Sequence, residues 1–195
     1  MKVLQNQELI ASLVKRNQSF IDVVENKFSK LSEEQLLTKP APDKWSISEC
    51  LIHIIKADEI YTNQFESKIQ EKPVQDLSYK PGWLGNWFAE GIVPKNGKIT
   101  NGMKSLKVMD PQKNMAELQK EFQSVQDVLE KFVVQQNLLN KQMQKAVNND
   151  LGSIKIQTAI PLIKIKLGDA LRFVVGHNER HIFQAEGVYA SIENL

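Results

Sequence analysis

The chain has 195 residues with a net charge of +2, and 42% of them are hydrophobic and 25% charged. These values fit a single globular domain over residues 1–195 and give no argument for nucleic acid or a membrane surface as partner. The single cysteine excludes an intramolecular disulfide framework. No signal-peptide pattern or long apolar run is present, so we expect a cytoplasmic protein.

Apolar periodicity predicts two long helices in the first part of the chain. The first covers about residues 6–29, and a short turn follows at Ser32 before two prolines break the chain. The second begins after Ser46, because Ser46 and Glu49 have the spacing of a capping box. We expect this helix to continue until about Lys72.

The second half of the chain predicts two further helices with an extended segment between them. The third helix should start at Asp110, an N-cap followed by proline, and its heptad spacing is interrupted at Gln136. Residues 150–167 suggest extended chain or a small strand pair. Asp169 is the expected N-cap of the fourth helix, which should reach about Ala190.

A connection of about forty residues separates the second and third helices. Such a length lets the chain return along a bundle, so these two helices can run parallel. We therefore predict an all-α four-helix bundle in the order up-down-down-up, with a long crossover between helices 2 and 3. Aromatic residues in the connection also predict a short helix packed on the bundle: Tyr79, Trp83, Trp87 and Phe88.

Two histidines lie four residues apart on the apolar face of the fourth helix. His177 and His181 should therefore stack, about 5–6 Å apart at Cβ. Buried imidazoles need partners, because an unpaired buried polar group costs roughly 1–3 kcal/mol. With His53, the only other histidine, they supply three nitrogen ligands and leave positions open on a metal. The alternative is a pair of core histidines bonded to carbonyls or carboxylates, with His53 half-exposed.

Residues near the histidines have two interpretations each. Glu49 is one turn from His53 and could act as a base, although its capping role explains it. Cys50 could be a soft ligand or a small core residue, and we favour the core. Gln184 could bond a ligand or water, or satisfy a polar group in the core. For Glu179 and Arg180 we favour surface or interhelix ion pairs over catalytic roles.

The long connection is the candidate for a cover over the site. Returning along the bundle, it would pass the depth of the histidines, and its tryptophans would have apolar surface to cover near the pocket rim. We therefore expect Trp83 and Trp87 to border the mouth of the metal site. The alternative is that they only pack the connection against the far end of the bundle.

Three stretches resemble the DinB-like superfamily. They are residues 44–53, which end at His53, residues 167–184, which hold the histidine pair, and the Pro-Gly-Trp-Leu-Gly run at 81–85. The resemblance implies a four-helix bundle in which His53, His177 and His181 bind the metal. Characterised members include S-transferases that use bacillithiol, mycothiol-dependent isomerases and glutathione-linked enzymes.

The expected cofactor is one divalent metal ion. Nitrogen ligation suits zinc or nickel, and iron also fits. We expect a small-molecule substrate, with a low-molecular-weight thiol activated for transfer to an electrophile. A metal-dependent hydrolase is the alternative enzyme, and a stress-associated protein with a structural metal is the non-catalytic alternative. A fourth protein ligand would favour the structural role. We also expect a possible homodimer.

Overall fold

The computed structural model describes residues 2–70, 74, 77–95, 97–99 and 121–193. Its helices are α1 (Asn6–Asn26), α2 (Glu33–Leu37), α3 (Ile47–Lys68), α4 (Trp83–Ile92), α5 (Val125–Ala146) and α6 (Leu167–Glu193). Its strands are β1 (Leu4–Gln5), β2 (Ser78–Tyr79), β3 (Lys155–Gln157) and β4 (Lys164–Lys166). The described chain is mostly helical, which confirms the all-α expectation. Within it, no helix is both long and apolar enough to span a membrane.

In the residues that the structure describes, four long helices enclose one hydrophobic core. The helices α1 and α3 each pack against both α5 and α6. Each contributes an apolar stripe at helical spacing, and burying one such side chain contributes about 1.5–3 kcal/mol. Buried apolar side chains come from all four helices and include Leu13, Ile54, Phe65, Phe132, Leu139 and Leu171.

The start of α3 has the capping box that the sequence predicts. The Ser46 hydroxyl accepts a hydrogen bond from the Glu49 backbone N–H at 3.2 Å, and the Glu49 carboxylate accepts one from the Ser46 N–H at 2.9 Å. The helix ends at Lys68, and the predicted end at Lys72 lies outside the described residues. This cap fixes the first turns of α3, which carry His53.

The connection contains the short helix that its aromatic residues predict, and that helix packs closely on α6. Glycines allow the close approach, because a Cβ built on Gly85 would lie 2.5 Å from Oδ2 of Asp169. A Cβ on Gly176 would lie 2.9 Å from Cγ2 of Val93. The last turns of α4 therefore lie beside the turn of α6 that holds His177.

Two predicted helix starts need correction. The third helix begins at Val125, where the Ser124 hydroxyl accepts from the Asp127 N–H at 3.1 Å, and because Ser124 has an extended backbone this helix does not run unbroken from the N-cap predicted at Asp110. The predicted start at Asp110 lies outside the described residues. The last helix begins at Leu167, so Asp169 is in its first turn and is not its N-cap. The Asp169 carboxylate instead accepts hydrogen bonds from the connection.

Two short antiparallel strand pairs accompany the helices. The pair β3–β4 matches Ile156 with Ile165 and confirms the small strand pair predicted before the last helix. The pair β1–β2 matches Leu4 with Tyr79 and was not predicted. The Tyr79 hydroxyl then donates to Asp169 at 2.7 Å, so the connection is held against both α1 and α6.

Four buried polar side chains, one from each long helix, meet in the middle of the core. We call Asn17, Asp58, Gln136 and Asn178 the polar layer, and each of them is 0% exposed. The amides of Gln136 and Asn178 donate to Oδ2 of Asp58 at 2.9 and 2.8 Å. Asn178 also bonds Gln136 at 3.1 Å, and Asn17 donates to the Gln136 carbonyl at 3.0 Å.

Candidate metal centre

The three histidines meet where α3 faces α6. One ring nitrogen from each of His53, His177 and His181 lies within 4.8 Å of the other two. Nε2 of His53 and Nε2 of His177 are 3.1 Å apart. Tetrahedral zinc with bonds of about 2.0–2.1 Å would separate its nitrogens by about 3.3 Å. The donor set and its spacing therefore fit a single divalent ion.

Aromatic and polar neighbours hold the imidazole rings in place. The Trp45 ring stacks on His181, with centroids 5.5 Å apart and 25° between the planes, and lies 4.8 Å from the His53 ring. Phe173 stacks on His177 at 6.0 Å. Oε1 of Gln184 lies 3.2 Å from Nδ1 of His181. An N–H on Nδ1 would donate to this oxygen, which leaves Nε2 free to bind a metal.

The surroundings keep His177 and His181 neutral. Burial, with a contribution from the nearby His53, lowers the pKa of His177 to about 3. Burial also lowers the pKa of His181 well below its ordinary value, again with a contribution from the other two imidazoles. Neutral imidazole is the form that binds metal ions, so little proton release opposes binding near neutral pH.

The histidines open onto a cavity of about 690 Å³. This volume is typical of small-molecule sites in proteins. Its walls are mostly apolar and come from α3, α4, α6 and the β3–β4 hairpin: Ala57, Tyr61, Phe88, Ile92, Ala159, Ile160, Ile165, Phe173 and Val174. Besides the three histidines, the polar residues that line it are Asp43, Lys44, Asp58, Thr158, Arg180 and Gln184.

The sequence pattern of the DinB superfamily matches residues 19–185, which include all three histidines. The chain belongs to the DinB superfamily. It is also similar to the uncharacterized protein YuaE of Bacillus subtilis (strain 168), with 32% identity over 56 residues. That match spans 29% of this chain and only 35% of YuaE. No solved structure matches the chain.

Three residues were predicted to lie next to the histidines of this DinB-superfamily protein. Gln184 lies at the site, whereas Glu49 and Cys50 do not. Glu49 caps α3 and pairs with Nζ of Lys39 at 2.7 Å. Cys50 is a core residue, and burial raises the pKa of its thiol far above the ordinary range. In the part of the chain that the structure describes, no fourth His, Cys, Asp or Glu joins the three histidines.

The two tryptophans of α4 are not where we expected them. Trp83 is 77% exposed and Trp87 is 61% exposed, and neither lines the cavity. The opposite face of α4 supplies Phe88 and Ile92 to the cavity wall instead. The connection therefore does border this DinB-superfamily site, but through different residues from those that the sequence suggested.

Two charged residues of the site were missed or misread from the sequence. Asp58 fills a gap in the apolar stripe of α3, between Ile54 and Tyr61, and this spacing was the available signal. Burial raises the pKa of Asp58 to about 7. Glu179 and Arg180 were both expected in ion pairs: Glu179 forms one with Arg16 of α1, whereas Arg180 forms none within the described residues. Arg180 lines the cavity and is only 8% exposed.

Proposed function

We propose that this DinB-superfamily protein is a metal-dependent enzyme with His53, His177 and His181 as the metal ligands. The observation that carries the proposal is three convergent histidine nitrogens at the wall of a largely apolar cavity of about 690 Å³. Three protein ligands are typical of catalytic sites, whereas structural zinc sites usually have four. The lack of a fourth described ligand therefore supports catalysis over a structural role.

The chain's own residues would bind and orient the reactants. Gln184 and Trp45 hold the His181 ring, and the apolar walls limit the water that surrounds a bound substrate. A bound divalent ion, zinc or nickel by its nitrogen ligands and with iron also suitable, would act as a Lewis acid and lower the pKa of a thiol or water. We propose a low-molecular-weight thiol as the nucleophile, transferred to an electrophilic carbon.

The metal ligands can be tested by metal analysis. The protein is purified without a histidine tag, incubated with zinc, desalted and analysed for metal by mass spectrometry. We expect about one zinc per chain in the parent and in Glu186→Gln, a surface control on the same helix, and almost none in His177→Ala. Equal zinc in His177→Ala and the parent would show that the histidine triad, His53, His177 and His181, is not the binding site.

The reaction can be tested with a panel of thiols and electrophiles. The zinc-loaded parent is expected to consume thiol and electrophile together, and His177→Ala is expected not to. Hydrolysis of ester or amide substrates without thiol consumption would favour the hydrolase alternative. Stabilisation by zinc with neither activity would favour the stress-associated metal-binding protein instead.

We also propose that the four long helices form a bundle in the order up-down-down-up. Hydrogen bonds between helices support this order. Asn6, at the start of α1, donates to carbonyls beyond the end of α5, and Lys27, just past the other end of α1, pairs with Glu186 near the end of α6. Gln135 and Gln142 of α5 bond α3 in the same sequence order, at Ile55 and at Thr62.

A further inference from the structure

Arg180 brings a charge into the cavity that no described residue neutralises. Its side chain lines the cavity beside the histidines and is only 8% exposed. Within the described ranges it forms no ion pair and no hydrogen bond, unlike Arg172 of the same helix, which bonds Asn86 and Glu90. A buried cation without a partner is costly, so proteins normally pair it.

The acids of the cavity leave this charge unbalanced. Two carboxylates line the cavity, Asp43 and Asp58. Asp43 lies at the exposed rim and pairs with Lys44 at 3.4 Å. Asp58 is fully buried and is engaged by the amides of the polar layer. Because three neutral histidines would leave a divalent ion its full charge, the cavity would carry still more positive charge once loaded.

We propose that this cavity binds small molecules that carry a carboxylate on an apolar body, and that Arg180 holds the carboxylate. The planar guanidinium presents paired N–H donors that match the two oxygens of a carboxylate. The apolar walls, which include Phe88, Ile92 and Phe173, suit the rest of the molecule. That Arg180 binds the carboxylate does not depend on the proposed function. Only the further step, that such molecules are the substrates, rests on it.

A carboxylate fits the available donors better than a phosphate does. Phosphate sites usually combine a cationic side chain with several backbone N–H groups at a helix N-terminus or a glycine-rich loop. Arg180 lies well inside α6, whose backbone N–H groups are already used by the helix. The single guanidinium of Arg180 therefore matches the one negative charge of a carboxylate better than the larger charge of a phosphate.

The test compares three ligands of similar size by isothermal titration calorimetry. They are 4-phenylbutyrate, its neutral amide 4-phenylbutyramide, and 3-phenylpropyl phosphate. Each is titrated into the zinc-loaded protein and into the protein treated with a chelator. The variants are Arg180→Gln and Arg180→Lys, and Arg16→Gln is the matched control because Arg16 lies on α1 outside this cavity.

We expect the parent to bind the carboxylate at least about tenfold more tightly than the amide, with or without zinc, as a charged hydrogen bond predicts. Arg180→Gln should lose this preference, Arg180→Lys should keep only part of it, and Arg16→Gln should keep all of it. Equal affinity of the parent for the carboxylate and the amide would overturn the proposal. This result needs only the parent protein, so it does not depend on whether the variants fold. Tighter binding of the phosphate would overturn the carboxylate assignment.

The outcomes separate this inference from the proposed function. A preference that appears only with zinc and survives in Arg180→Gln would assign the carboxylate to the metal and exclude Arg180. A preference that persists in His177→Ala, in a protein without zinc, would support Arg180 even if the metal proposal failed. Circular dichroism and zinc content of Arg180→Gln check that the fold and the triad are intact.

Discussion

Asp58 and His177 line the same cavity but respond to pH in opposite directions. Burial raises the pKa of Asp58 to about 7 and lowers that of His177 to about 3. The stability that Asp58 contributes is therefore present below its unfolded pKa, near 4, and is lost as the pH rises through about 7. The contribution of His177 is present above about pH 6.5 and is lost as the pH falls towards 3.

The substitution Asp58→Asn should remove the opposing effect of Asp58, so that the contribution of His177 to the pH dependence of stability can be measured. In metal-free protein, we expect the free energy of unfolding to rise more steeply from pH 4 to pH 7 in Asp58→Asn than in the parent. The difference can reach about 4 kcal/mol, since the pKa shift spans about three units. Urea denaturation at several pH values measures it.

An exposed acid provides the control for this measurement. Asp22→Asn, on the surface of α1, removes an acid of the same type far from the cavity lining and is measured in the same way. The new amide at position 58 can leave one N–H without a partner, but that cost does not depend on pH. Parallel stability curves for Asp58→Asn and the parent would show that Asp58 has an ordinary pKa in the folded protein.

At the scale of elements, α4 lines the cavity with the face opposite to its two tryptophans, which is not the face that the sequence indicated. Its two tryptophans are exposed, while Phe88 and Ile92 form part of the cavity wall. We expect Phe88→Ala to weaken binding of both 4-phenylbutyrate and its amide by a similar factor of about ten, because both lose the same apolar contact. Calorimetry with the two ligands measures this, whereas Arg180→Gln affects only the carboxylate.

Trp83→Ala is the matched control on the same helix. It removes a larger aromatic ring that does not line the cavity, so both affinities should match those of the parent. The expectation for α4 fails if Trp83→Ala weakens binding as much as Phe88→Ala does. Thermal unfolding of both variants checks that any loss does not simply reflect a destabilised helix.

Features encoded by neighbouring residues could be predicted from the sequence. The capping box of α3, the short α4 and the β3–β4 pair all follow from local spacing or composition. The β1–β2 pair could not, because it joins Leu4 to Tyr79 across the chain. Asp169 was misread for the same reason, since its partners Tyr79 and the Gly82 N–H come from a distant connection.

In the candidate site too, features set by neighbouring residues could be predicted, and features set by contacts between distant helices could not. The spacing of His177 and His181 on one helix face identified the pair, and His53 followed as the remaining histidine. The sequence could not show that Glu179 pairs with Arg16 while Arg180 turns to the cavity. Adjacent residues on a helix face in different directions, and which direction is buried depends on the packing of the other helices.

At the scale of the whole molecule, the triad joins two helices that are far apart in the chain. A metal that binds only the folded protein should therefore stabilise it. At free zinc of about 100 times the dissociation constant, we expect about 2.7 kcal/mol of added stability. For a chain of this length, this corresponds to a rise in melting temperature of about 5–10 °C. Calorimetric scans with zinc and with chelator measure it.

His177→Ala should lose this response, because two imidazoles hold the ion far less tightly than three. The melting temperature of this variant without metal provides its own reference, so any change in intrinsic stability is accounted for. An equal rise in the parent and in His177→Ala would place the stabilising zinc somewhere other than the triad.

The polar layer limits how far α3 and α6 can shift against each other, and so how accurately the candidate metal ligands are placed. Asp58 lies five residues beyond His53 on α3, and Asn178 is next to His177 on α6. Apolar side chains would tolerate a small slide between these helices, but the 2.8 Å bond from Asn178 to Asp58 would break. A slip of one residue moves a helix by about 1.5 Å, far more than the roughly 0.2 Å tolerance of a metal–nitrogen bond. The precision with which the three histidines could coordinate an ion would thus depend on amides outside the candidate ligand set.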